Sequence, residues 1–165
     1  MRAARTFRWV GLPIVCVSIV FVLWVQLGFA QADPFVGTWV LNTLKSRFLL
    51  GSLPPKEQTV IYEAVGQGLK VSAKGTDAAG KPTLTEYAAN YDGRDNPVTG
   101  NPDWDAISLK RVDSFTVQFT RKRAGKVVQT GSNVVSRDGK TRTITATGVN
   151  AQGQNIKTVG IYDKK

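Results

Sequence analysis

The sequence predicts an all-β protein, an antiparallel up-and-down meander of about ten strands closing into a barrel, preceded by an N-terminal apolar helix. Three observations predict it. Runs rich in Val, Ile, Thr, Tyr and Phe follow one another from Phe35 onward. Turn signals separate them: Gly66-Gln67-Gly68, Asp77-Ala78-Ala79-Gly80, Asp92-Gly93, Asp113-Ser114, Ala124-Gly125, Asp138-Gly139 and Asn150-Ala151-Gln152-Gly153. Ahead of both lies one nearly uninterrupted apolar stretch, from Trp9 to Ala30. Asp-Gly suits the type I′ hairpin, whose two central residues need positive φ. The intervals between turns leave no room for crossover helices, so neighbouring strands pair antiparallel. An open sheet would expose two edges, and closing the meander removes them. A two-sheet sandwich built from the same strands is the alternative, and the meander order favours the barrel.

The first element is a signal segment over residues 1–32. Arg2, Arg5 and Arg8 make a positive start, and no acidic residue precedes Asp33. Only Ser18 and Gln26 break the apolar run, and Ala30-Gln31-Ala32 fits the small-residue pattern of a signal-peptidase site. Cleavage after Ala32 makes the protein periplasmic or secreted. A retained anchor is the alternative, because the run is about long enough to cross a bilayer. Cys16 follows Val15 rather than a small residue, which argues against lipidation.

Residues 33–165 make one domain with a single core. Its strands are expected at 35–42, 57–65, 69–76, 82–91, 95–99, 104–112, 115–123, 126–136, 140–148 and 154–163. The stretch Thr43–Lys56, with Phe48-Leu49-Leu50 and Pro54-Pro55, reads as a loop or short helix and not as a strand. Cys16 is the sole cysteine and the chain has no histidine. That excludes a disulfide, thiolate or imidazole metal sites, and Cys- or Ser–His nucleophilic machinery. No cofactor, no metal and no enzymatic activity is expected. The chain carries a net charge of +10, and without Arg2, Arg5 and Arg8 the domain keeps +7. Such a balance favours anionic partners. Nucleic acid is a poor fit, because no nucleic-acid motif accompanies charges that are scattered singly.

The segment Asp33-Pro34-Phe35-Val36-Gly37-Thr38-Trp39-Val40-Leu41 resembles the opening strand of the fatty-acid-binding proteins, F-x-G-x-W-x-L. Its G-x-W element is shared with the wider lipocalin (calycin) superfamily. The end of the chain, Gly160 to Lys165, is similar to their last strand, R-x-Y-x-[KR]. The resemblance implies a lipocalin-like barrel that carries a small hydrophobic or amphipathic ligand. It also implies that Trp39 plugs the closed end and that Tyr162 faces the interior. Two departures stand out. Thr43–Lys56 is too short and proline-marked for the family's helix-turn-helix lid, and Gly160 stands where its carboxylate-binding arginine would be. The stretch Tyr91–Gly100 resembles a segment of exported bacterial β proteins, which implies no activity.

Four residues are candidates for ligand contact. Trp39 shares a strand face with Phe35, Gly37 and Leu41. Tyr162 shares one with Ile156, Thr158 and Gly160, either as a donor to a ligand head group or as a core tyrosine satisfied by backbone. Phe119 and Arg121 continue the apolar stripe of Val117, which must face Ile107 and Leu109 across the Asp113-Ser114 hairpin, odd residue to odd. That register sets Asp105, and Asp103 beside it, near Arg121 or Arg123. The cluster reads as a polar gate at one mouth or as an exposed salt bridge. Arg121 is the cation that could replace the missing arginine, with Asp105 holding it in the free protein. Lys157 lies on the face opposite Tyr162 and cannot.

Asn101-x-Asp103-x-Asp105 has calcium-loop spacing, but Ala106 and Val112 occupy the places of its glycine and glutamate. Nothing brings Asp103 and Asp105 to a cleft as paired glycosidase carboxylates. Thr141, Thr143, Thr145 and Thr147 line one face, outer surface or cavity wall. The sequence therefore favours a monomeric, non-catalytic extracytoplasmic binding protein. The alternative is a ligand-free interaction module at the cell envelope. An empty, side-chain-lined lumen distinguishes the first from the second.

Overall fold

The protein is described by a computed structural model over residues 32–165. The signal segment, cleaved or retained, lies outside the described residues. Among the described residues eleven strands follow one another: β1 (Gly37–Leu41), β2 (Arg47–Leu50), β3 (Glu57–Val65), β4 (Gly68–Thr76), β5 (Pro82–Asn90) and β6 (Asp92–Thr99), then β7 (Ala106–Asp113), β8 (Thr116–Arg123), β9 (Lys126–Val135), β10 (Thr141–Val149) and β11 (Asn155–Lys164). From β3 to β11 each strand pairs antiparallel with the next, and β1 pairs with both β3 and β11. The ring is thereby closed: ten staves form a barrel, and the sandwich is excluded.

One expectation fails. Arg47–Leu50 is a strand, not a loop or helix. The physical reason lies in β11, whose last residues pair with β1, Trp39 with Lys164 and Leu41 with Tyr162. The first half of β11 would be an open edge, and β2 covers it, Leu50 opposite Ile156 and Arg47 opposite Val159. Asn42–Ser46 loops out between β1 and β2. Ser46 Oγ donates to the Asn42 carbonyl at 2.7 Å and accepts the Ile161 N–H at 2.9 Å, so a side chain fills the interrupted ladder. Asn42 Nδ2 ties the loop to Asp163 at 2.7 Å.

Two smaller differences concern β6 and β7. The Asp92-Gly93 pair lies inside β6 at an irregularity of register, with Gly93 at φ +78°, and Trp104 precedes β7 instead of belonging to it.

Alternation sorts the side chains. Even residues of β3, β10 and β11 and odd residues of β1, β4, β5, β7, β8 and β9 turn inward. Arg142, Ile144 and Ala146 face the lumen, so the four threonines of β10 lie on the outer surface. At the packed end Trp39 is fully buried and donates Nε1–H to the Phe35 carbonyl at 2.8 Å. Asp33 fastens the chain there: it accepts from Tyr91 Oη at 2.8 Å and pairs with Arg111, whose guanidinium lies 3.8 Å from the Tyr91 ring centre. Burial, with the Asp33 hydrogen bond behind it, pushes the Tyr91 hydroxyl well above its usual range.

Candidate functional site

At the end opposite Trp39 the barrel is hollow. A cavity of about 530 Å³ opens between the tip of β2 and the turns that join β4 to β5, β6 to β7 and β10 to β11. Its wall combines apolar side chains such as Val60, Val71, Ala146 and Ile156 with Gln58, Tyr62, Gln129 and Tyr162. This lining suits a molecule with both an apolar body and polar groups.

Arg121 projects from β8 into this space. Strand alternation carries it inward beside Phe119, and the β7–β8 register is the odd-to-odd one that the apolar stripes require, with Ile107 opposite Arg121 and Leu109 opposite Phe119. The Phe119 ring finds room because Gly131 stands opposite it: a Cβ there would come within 2.5 Å of the ring. The Arg121 guanidinium lies 4.5 Å from the ring centres of both Trp104 and Phe119, and Nη1 donates to Gln129 Oε1 at 2.9 Å. Its Nε has no partner among the described residues. Burial holds its pKa below the usual arginine value, since a buried cation lacks the hydration it had in water.

The expected cluster of Asp and Arg does not form. Asp105 is exposed and spends Oδ2 on the Ala124 N–H at 2.9 Å, while Asp103 Oδ1 accepts the Ala151 N–H at 2.8 Å. Both carboxylates hold the loops of the mouth, and neither holds Arg121. Arg123 is exposed. The same assignments disperse the calcium-like oxygens, because Asn101 Oδ1 accepts from the Asp103 N–H at 3.0 Å. Among the described residues no cluster could hold a metal ion.

Tyr162 lines the cavity, donating to Gln58 Oε1 at 2.6 Å. Its partner is a side chain, not backbone, and burial raises its pKa. Phe119 buttresses Arg121 over a smaller void of about 30 Å³. Trp39 belongs to the packed end and does not line the cavity.

The residue that sequence reasoning missed is Arg142 on β10, which is fully buried. Nη1 donates to the Tyr62 hydroxyl, and the guanidinium lies 4.1 Å from the ring centre of Tyr162, 4.7 Å from Tyr62 and 5.7 Å from Trp39. Nε and Nη2 have no partner among the described residues, and neither does the nearby Asn133 Oδ1, whose amide reaches Tyr62. The signal was available: if the odd threonines of residues 141–147 face water, Arg142 faces inward with Ile144 and Ala146. The inner polar set of Gln58, Tyr62, Tyr87 and Gln129 follows from the same alternation. Among the described residues no ion pair joins Arg121 or Arg142 to a carboxylate. Asp77 and Asp103 line only the mouth. The interior is therefore positive, partly offset by the negative faces of the surrounding rings.

No protein-family model matches the chain, and no curated protein does. Among solved structures, a zebrafish ileal bile acid-binding protein complexed with cholic acid aligns with 80% of this chain and 99% of its own, at 10% identity and a TM-score of 0.45. The chemistry of the site rests on this chain's own residues.

Proposed function

We propose that the barrel is a non-catalytic binding protein for a small amphipathic acid, a lipid or fatty-acid-like molecule. The apolar body would fill the cavity and the anionic head would meet Arg121. One observation carries the reading: a cavity of about 530 Å³ into which a buried guanidinium projects with an unpartnered N–H and, among the described residues, no ion pair. A buried charge without a counter-ion is costly, and an anionic ligand would supply one. Tyr162, Gln58 and Gln129 add polar contacts around it, and Arg142 behind Tyr62 adds to the positive field. The hollow lumen weighs against a ligand-free module, whose interior would be filled. Export, to the periplasm or beyond the cell, is part of the proposal. It is supported by the basic start, the apolar run and the Ala30-Gln31-Ala32 exit.

The test is Arg121→Gln. It should weaken a long-chain carboxylate at least about tenfold more than the matching alcohol, the scale of one charge-assisted hydrogen bond, while the barrel stays folded. Equal losses for acid and alcohol would remove Arg121 from the head-group site. Failure of both compounds to bind the unmutated protein would remove the carrier reading itself.

A further inference from the structure

Four of the large apolar side chains that remain exposed fall within one short stretch: Leu44, Leu49, Leu50 and Leu53. Singly exposed leucines are ordinary on protein surfaces. These are grouped: Leu53 lines the cavity wall with Phe48, Gly51 and Ser52, and Leu49 and Leu50 lie between Phe48 and Gly51 in the chain. Leu50 is the informative one. Its partner across the ladder, Ile156, lines the cavity, and plain alternation would turn Leu50 inward beside it. Instead its backbone adopts φ +60°, a conformation unfavourable for a leucine, and the side chain is 74% exposed. The backbone thus accepts strain to place an apolar group in water.

On the lip itself every charge is positive. No acidic residue occurs from Pro34 to Lys56, while Lys45, Arg47 and Lys56 alternate with the leucines. Lys157 pairs with Leu49 across the β2–β11 ladder, and Lys56 Nζ reaches towards Gly80, the neighbour of Lys81. Lys45 is paired with Asp163, but Arg47, Lys56, Lys81 and Lys157 make no ion pair among the described residues. Asp77 is the carboxylate on the facing loop, and one of its oxygens is held by the Lys81 N–H. Leucines interleaved with free cations match the two layers of a lipid surface, acyl chain below and anionic head group above. A protein partner would more often be met by aromatic anchors, and the large side chains exposed at this rim are leucines.

We infer that this lip docks the open end of the barrel onto an anionic lipid surface, with Leu49, Leu50 and Leu53 entering the head-group boundary and the four free cations meeting lipid phosphates. Docking of this kind brings the cavity mouth against the bilayer. No ligand is needed for it, so its failure and the failure of ligand binding are separate results.

The experiment is vesicle co-sedimentation of residues 33–165, which contain every strand and every core residue of the barrel. Vesicles of phosphatidylcholine alone are compared with vesicles of phosphatidylcholine and phosphatidylglycerol in equal parts. The barrel should sediment with the anionic vesicles and be released by salt. Leu50→Asn with Leu53→Ser should lower that partition at least about tenfold without lowering Tm, since asparagine tolerates the left-handed backbone. A second variant, Arg47→Glu with Lys157→Glu, leaves the leucines in place and should also abolish the preference for anionic vesicles. No sedimentation of the unmutated barrel, or equal sedimentation of the leucine variant, would overturn the proposal. So would a barrel that dimerises in solution and ignores vesicles, which would assign the lip to a second copy of the chain.

Discussion

Trp39 shows how much a single side chain can carry in a domain of this size. It is fully buried, its indole N–H is satisfied by Phe35, and the Lys164 ammonium lies 5.1 Å from its ring centre. Trp39→Ala should cost about 3–5 kcal/mol, a large share of a small domain's stability, and should leave the cavity lining intact. Thermal and denaturant melts check it, and an unchanged Tm would show that the packed end does not depend on the indole. Trp39 and Arg121 were legible in the sequence because strand alternation and a local motif fix which way each points. Arg142 was not, although the same alternation applies to it. Charged residues are rarely buried without a partner, and three aromatic rings from β1, β3 and β11 make the site that holds it. Those rings come together only when the barrel closes.

Hairpins show a similar division between what is local and what is not. Turn dipeptides located nearly every strand to within a residue or two, because positive φ is a property of the turn itself. The β8–β9 turn is built from Ala124 at φ +49° and Gly125 at φ +77°. Glycine or asparagine suits the first of these positions better than alanine. Ala124→Asn should therefore stabilise the barrel by about 1 kcal/mol, keeping the N–H that Asp105 accepts. A lower Tm for that variant would show that the alanine is held there by packing. β2 was missed for the opposite reason. Nothing within residues 43–56 reads as a strand, and the stretch pairs because half of β11 would otherwise lack a neighbour. The Asp–Arg cluster failed similarly. The register was right, but loop N–H groups had first claim on both carboxylates.

At the scale of the molecule, charge sets the response to pH. Asp113, Asp138 and Asp163 all have pKa values lowered by hydrogen bonds that favour the carboxylate: to Asp113 from the Phe115 N–H, to Asp138 from Ser136, and to Asp163 from Asn42. A depressed carboxyl pKa contributes stability above its unfolded value, and that stability is lost as pH falls through the folded value. With no histidine in the chain, no side chain with an ordinary pKa titrates between about pH 5 and 8. Tm should be flat across that interval and fall below about pH 4. A clear inflection near neutrality would mean that some buried group titrates there.

Whether the hollow end of the barrel holds a small molecule decides the proposed function. Native mass spectrometry of the protein purified from its own source tests it most directly. The expected result is a protein part beginning at Asp33, carrying a lipid-sized acid that is released on collisional activation and absent from an Arg121→Gln variant prepared in the same way. A bare protein mass under conditions gentle enough to keep non-covalent ligands would contradict it.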